Sequence, residues 1–203
     1  NLDEASHAEL KRMYDFCYDR YRDNLFIYDD IKDLNSTLSI VQKVKPDVII
    51  DDYIQLISVK GYTERRFELE NVMKEYKWIA KSMGNVPILV SQLNREIERR
   101  FDPKPKLSDL AESGTIEQVA ENVLFVYYDY KVNYDYSELG KYKAQIIAAK
   151  VRYGETCMMT VGYNGDKVRY YEKSEEVFVH DKNIRDTVAL SRDEKGIRNA
   201  KPF

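Results

Sequence analysis

The sequence predicts an α/β fold, with a mostly parallel central sheet in the first half and antiparallel hairpins toward the C-terminus. Three observations carry that prediction. Helix-like and strand-like periods alternate through the first half of the chain. Two apolar runs, Val48-Ile49-Ile50 and Pro87-Ile88-Leu89-Val90, stop on polar side chains, Asp51-Asp52 and Ser91-Gln92. Beyond residue 120, four β-rich stretches follow one another closely. Strands separated by helices pair in parallel, whereas strands joined by tight turns pair antiparallel.

Taken in order, residues 5–22 place Leu10, Met13, Tyr14, Cys17 and Tyr21 on one helical face. A short strand is expected at 25–28, ended by Asp29-Asp30, then a helix at 34–44 before Pro46. Residues 47–51 and 86–91 read as fully buried strands. Between them, a polar turn at 61–66 leads into an amphipathic helix at 64–83. Phe67, Val72, Tyr76, Ile79 and Met83 recur in it at helical spacing, and Gly84 closes it. Pro103 and Pro105 exclude regular structure from the charged loop that follows Arg100. A short helix at 115–120 follows a Ser113-Gly114 turn. Strands are expected at 122–127, 144–151, 157–163 and 168–171, the last two joined by an Asn164-Gly165 hairpin turn. Residues 1–172 form one domain in this reading, and the polar stretch 173–203 is a tail.

Bulk properties narrow the function classes. A net charge of −3 argues against a surface coated for nucleic acid, while allowing a local basic channel. No apolar run reaches the roughly 18 residues of a membrane span. Cys17, Cys157, His7 and His180 give no metal or disulfide spacing. Reduced thiols fit a cytoplasmic setting. Seventeen tyrosines suit core rims and subunit contacts more than base stacking.

Two strands that each end on a polar side chain suit a nucleotide site at the carboxyl edge of a parallel sheet. One offers a carboxylate of the magnesium-binding type, the other an amide able to sense a phosphate. Plainer readings are that the carboxylates cap a strand and that Gln92 bonds loop backbone. The segments VIIDDYIQL (48–56), SQLNREIERR (91–100), LSDLAESGTIEQVAENVLF (107–125) and IIAAKVRYG (146–154) resemble the ordered motifs of DnaB-type replicative helicases. These are RecA-fold ring ATPases that unwind DNA ahead of a replication fork. The resemblance extends from the first helix to about Tyr171.

That resemblance implies a RecA-like motor domain using ATP and Mg2+, in a hexameric ring on single-stranded DNA, with a primase and a helicase loader as partners. The setting implied is the cytoplasm of a bacterium or phage-infected host, with no membrane association. It assigns Asp52 to Mg2+ through water, with Asp51 beside it at a usually apolar position, and Gln92 to the γ-phosphate. Arg95, Arg99, Arg100 and Lys104 lie in a loop of net charge +2 over 95–106, which a DNA strand would meet. Glu112 and Gly114 belong to the phosphate-holding segment Leu110-Ala111-Glu112-Ser113-Gly114. Ala111 replaces an arginine there, so that contact is lost or moved to Arg99 or Arg100. Lys150 and Arg152 point to one face of a strand. As part of a Lys-x-Arg-x-Gly motif they reach a neighbouring subunit's γ-phosphate, Arg152 as an arginine finger. Without the resemblance, a charge run and a Lys/Arg pair are ordinary solvated surface.

No G-x-x-x-x-G-K-[ST] loop occurs in the sequence; Gly140-Lys141 is followed by Tyr142. The resemblance places that loop and a catalytic glutamate upstream, so the expectation is a motor-domain fragment that does not hydrolyse ATP alone. Two other readings stand beside it: an inactive RecA-fold module that binds or caps a helicase ring, and a RecA-like recombinase ATPase. The Leu-Ser-Asp-Leu, Glu-Ser-Gly and Glu-Gln elements argue against the recombinase.

Overall fold

The computed structural model describes residues 4–110 and 113–177. They fall into two units, Asn1–Lys45 and Pro46–Phe203.

The first unit holds α1 (Glu4–Tyr21) and α2 (Leu34–Val44). The predicted face of α1 exists, but Leu10, Met13, Tyr14, Cys17 and Tyr21 all stand exposed. Its rings partly cover one another, Tyr14 stacking on Tyr18 at 6.0 Å and Arg20 lying over Phe16 and Tyr21. Residues 25–28 do not form the expected strand. They belong to no strand among the described residues, and all four side chains are exposed. An apolar run becomes a strand only where a partner edge meets it. The start of α2 is set by Asp33, whose carboxylate accepts the Ser36 N–H at 3.0 Å. Lys45, in the left-handed region, ends the helix through an N–H bond to the Val41 carbonyl.

In the second unit, β1 (Val48–Asp51), α3 (Arg65–Met83) and β2 (Val86–Leu89) make one βαβ turn. The strands pair in parallel, from Val48 opposite Val86 to Asp51 opposite Leu89. Along α3 the buried stripe is Leu69, Val72, Met73, Tyr76 and Ile79, one residue every three or four. Phe67, expected inside, is exposed, because the stripe begins two residues later. Gly84 ends the helix with φ 73°, a conformation that costs glycine little.

Next come α4 (Ser113–Val119), β3 (Asn122–Tyr127), α5 (Asp129–Val132), β4 (Lys143–Val151), β5 (Cys157–Asn164) and β6 (Arg169–Tyr171). The strands form an antiparallel sheet in the order β3-β4-β5-β6, separate from the parallel pair. The expected mostly parallel central sheet is therefore corrected. Among the described residues, parallel pairing is confined to two strands, and the larger sheet is antiparallel because each of its strands follows the last without a crossover helix. Nor are β1 and β2 fully buried. Ile49 is covered, but Val48, Ile50, Val86 and Ile88 are exposed on the opposite face.

Two features organise the antiparallel half. Asp129 is buried and accepts hydrogen bonds from Tyr127 Oη, Asn133 Nδ2 and Ser137 Oγ at 2.7–2.8 Å, which orders the connection to β4. Burial alone would push its pKa up, but these donors outweigh it and hold the carboxyl below the usual range. Beside it, Tyr134, Tyr130, Tyr128, Tyr163 and Tyr170 form a run of ring contacts with centroids 4.6–6.0 Å apart. Residues 173–177 pack on β5: Val177 is fully buried, and a Cβ on Gly162 would lie 2.5 Å from the Lys173 carbonyl oxygen. Of the expected tail, 178–203 lie outside the described residues.

Gly162→Ala should therefore destabilise the fold by about 1–3 kcal/mol in urea unfolding, since backbone would have to move. The tyrosines give an alkaline prediction. Burial, and then Asp51 for Tyr76 and Asp129 for Tyr127, raises both hydroxyls well above the ordinary value. The folded state thus keeps protons that the unfolded chain sheds near pH 10. Stability should be intact below about pH 10 and fall progressively above it. Tyr127→Phe should flatten that fall, as read from urea midpoints against pH.

Candidate functional site

The carboxyl ends of β1 and β2 are joined closely. Val90 N–H bonds the Asp51 carbonyl at 2.9 Å, and Ile54 N–H bonds the Val90 carbonyl at 3.0 Å. Between them lie Asp51, Asp52 and a 3-10 turn, Ile54–Leu56. Gln55 on that turn spans the gap. Its Nε2 donates to Ser91 Oγ at 2.9 Å, and its Oε1 accepts the Gln92 N–H at 3.3 Å. Behind it, Arg65 in the first turn of α3 donates to the carbonyls of Gln55 and Ile57 at 2.8 and 2.9 Å. Glu68 pairs with Arg65 and accepts the Val59 N–H at 2.6 Å. Burial works to raise the Glu68 pKa, but those two partners prevail and lower it.

The two adjacent carboxylates differ. Tyr76 on α3 donates its hydroxyl to Asp51, which ties that side chain to the core. Asp52 is exposed and has no hydrogen-bond or ion-pair partner among the described residues. The side chain of Gln92 is also exposed, with only its backbone N–H engaged by Gln55. Gln55 and Arg65 were not singled out as site residues from sequence. The spacing Asp52-Tyr53-Ile54-Gln55 is the sequence signal that could have found Gln55.

The charged loop is a folded one. Leu93 and Leu110 form an antiparallel bridge at its neck, and the Asn94 N–H bonds the Asp109 carbonyl at 2.7 Å. Asn94 also caps a 3-10 helix, Arg95–Arg99, and Pro103 and Pro105 are buried. Arg95 and Arg99 are exposed, and Lys104 is half-buried. Arg100 turns inward, its guanidinium forked onto Asp109 at 2.7 and 3.0 Å. Glu112 and Ala111 lie outside the described residues. Gly114 sits in the first turn of α4 rather than in a separate turn. A Cβ there would meet nothing within 4 Å.

Lys150 and Arg152 converge on the far end of α4. Lys150 donates to the Glu117 carbonyl, and Arg152 Nη2 to the Gln118 carbonyl at 3.0 Å. Helix-end carbonyls carry negative partial charge and attract cations. Glu121 takes Arg152 Nε at 2.5 Å on one oxygen and Lys77 Nζ at 2.6 Å on the other. The bond from Lys77 above all, with Arg152 and Lys150 nearby, holds the Glu121 carboxyl below its ordinary range. Sequence reasoning missed Glu121 and Lys77, which have no local signal. Among the described residues no hydrogen bond joins this cluster to Asp52 or Gln92. Helix α3 serves both, with Tyr76 on Asp51 and Lys77 on Glu121.

Residues 2–172 match the family model described as the DnaB-like helicase C terminal domain. The chain belongs to this family. The replicative DNA helicase DnaB of Haemophilus influenzae is 33% identical over 184 residues, 87% of this chain and 38% of that protein. Its counterpart in Pasteurella multocida is 34% identical over 135 residues, 66% of this chain and 28% of that protein. Among solved structures, a DnaB-like replicative helicase studied with its interactions with primase superposes with a TM-score of 0.63. It is 28% identical, covering 69% of this chain and 35% of that one. A second solved structure, described as an ATPase domain, gives a TM-score of 0.60 at 28% identity, over 68% of this chain and 49% of that one. This DnaB-like chain thus spans well under half the length of the curated relatives it matches. Its α/β character agrees with these neighbours. No helix among the described residues is long and apolar enough to cross a membrane.

The unequal carboxylates predict unequal substitutions. Asp51→Ala should cost about 1–2 kcal/mol in urea unfolding, because the buried Tyr76 hydroxyl loses a charged acceptor. Asp52→Ala should stay within about 0.5 kcal/mol of the parent.

Proposed function

We propose that this chain is part of the motor of an ATP-driven ring helicase that moves along single-stranded DNA and unwinds duplex at replication forks. The observation that carries the reading is the pairing of Asp52 and Gln92. They follow the ends of adjacent parallel strands, and Gln55, three residues after Asp52, bonds Ser91 and the Gln92 N–H, in a chain of the DnaB-like family. Binding at that edge of a parallel sheet is the general rule for nucleotides.

The residues fit a magnesium nucleotide. A hard cation that bridges phosphates keeps several waters and needs one or two protein carboxylates. Asp52 offers one in solvent, while Asp51 is occupied by Tyr76. Bound there, Mg2+ would neutralise charge on the phosphates of ATP. Asp52 would hold it, directly or through water. Gln92, free at its amide and fixed at its backbone, would meet the γ-phosphate and pass its state to the loop that begins three residues later. Lys150 and Arg152 would serve a neighbouring subunit's γ-phosphate, leaving the α4 carbonyls and Glu121 to do so. On the DNA side, Arg95, Arg99 and Lys104 present cations, with Glu112 beside them in sequence. Gly114 has no packing reason to be glycine among the described residues, which fits close approach by a phosphate. The ring would be a hexamer, and a primase partner accords with the helicase that superposes on this chain.

In the full-length protein, Asp52→Asn and Arg152→Ala should each lower DNA-stimulated ATP turnover by about a thousandfold. Mixing the two variants should recover part of the turnover, because one subunit then supplies the carboxylate and its neighbour the arginine. Wild-type turnover in Arg152→Ala, or no recovery in any mixture, would sink the shared-site reading.

A further inference from the structure

We infer that Arg100 and Asp109 form a latch that presets the loop 93–110 for a nucleic-acid strand, both acting as positioning residues and neither touching phosphate. The inference rests on reading the exposed cations of that loop as a phosphate-contacting surface, and it changes the part Arg100 plays in it.

Asp109 is only 8% exposed, yet it meets donors from three parts of the loop. Its carboxylate takes both Nη atoms of Arg100 and, at 2.7 Å, the Lys106 N–H, while its carbonyl takes the Asn94 N–H. Arg100 Nη2 also donates to the Lys104 carbonyl at 3.0 Å. The ion pair therefore ties positions 100, 104 and 106 to 109, and the Asp109 backbone adds position 94, with Pro103 and Pro105 buried inside the loop. The forked geometry is specific to a guanidinium, since an ammonium meets a carboxylate as a point charge. Arg100 Nε is buried without an acceptor among the described residues, although the side chain as a whole is 31% exposed, so the guanidinium is held at the loop by its Asp109 face. Swinging it out to a phosphate would leave the Asp109 carboxylate buried and short of its charge partner, which is strongly unfavourable.

The consequence falls on the neighbours. Arg95 and Arg99, on the 3-10 helix that precedes Arg100, are exposed and pair with no acid among the described residues. With the loop already closed, a strand meets them in place, and binding need not order residues 93–110 at the same time.

Two readouts on the full-length protein test this. The first is binding of labelled oligothymidylate by fluorescence anisotropy over a salt series. Arg95→Ala and Arg99→Ala should weaken binding and reduce the slope of log Kd against log salt by about 0.7 per phosphate contact. Arg100→Lys and Asp109→Asn should weaken it roughly tenfold with the slope unchanged. The second readout is the rate of trypsin cleavage at Arg95 and Arg99 without DNA. It should rise several-fold in the Arg100→Lys and Asp109→Asn variants, because the loop opens more often. Unchanged cleavage, or a salt slope that shrinks in Arg100→Lys as it does in Arg95→Ala, overturns the latch. If cleavage rises as expected but Arg95→Ala and Arg99→Ala bind DNA like the parent, the phosphate-contact reading fails instead and the latch is left without that purpose.

Discussion

One hydrogen bond, from the Tyr76 hydroxyl to the Asp51 carboxylate, decides what the end of β1 can do. A carboxylate turned toward the core needs a donor there, and α3 brings one from twenty-five residues away. Once Asp51 is satisfied from the inside, strand alternation sends Asp52 the other way, into solvent. Two chemically identical neighbours thereby take different duties, one holding the strand to its helix and the other left available. The backbone bonds from the Val90 N–H to Asp51 and from the Ile54 N–H to Val90 then fix how far β2 extends, and so where Gln92 stands.

The same helix reaches the second cluster through the next residue. Lys77 holds Glu121, which also holds Arg152, so a basic patch that would otherwise repel itself is gathered around one carboxylate and the carbonyls of α4. Exposed ion pairs of this kind add little to stability. Their effect is geometric. They attach the Lys150 and Arg152 end of β4 to α3, while the bonds to the Glu117 and Gln118 carbonyls attach it to α4, whose first turn carries Gly114.

How much of this could be read beforehand depends on what each feature rests upon. The α3 period, the βαβ unit and the four C-terminal strands are local patterns, and the structure reproduces them closely. The apolar-then-polar endings marked Asp52 and Gln92 for the same reason. What stayed hidden depends on partners distant in sequence. Nothing near Asp51 announces Tyr76, nothing near Arg100 distinguishes an inward guanidinium from an outward one, and Glu121 reads as a solvated acid at the start of a strand. The failed strand at 25–28 is the same lesson reversed: its side chains suit β-structure, but no edge arrives to pair with it among the described residues. Sheet type was misjudged because helix–strand alternation was extended from one βαβ unit to the whole core.

The uncovered face of β1 and β2 has a practical consequence for anyone handling this polypeptide. Val48, Ile50, Val86 and Ile88 present adjacent branched side chains to water on a two-stranded ribbon. Parallel strands are ordinarily sheltered on both faces, and bare apolar surface of this kind promotes indiscriminate clumping. A high-molecular-weight peak from a preparation of these 203 residues would thus be weak testimony for a closed ring. Its sensitivity to mild detergent would separate greasy adhesion from ordered assembly.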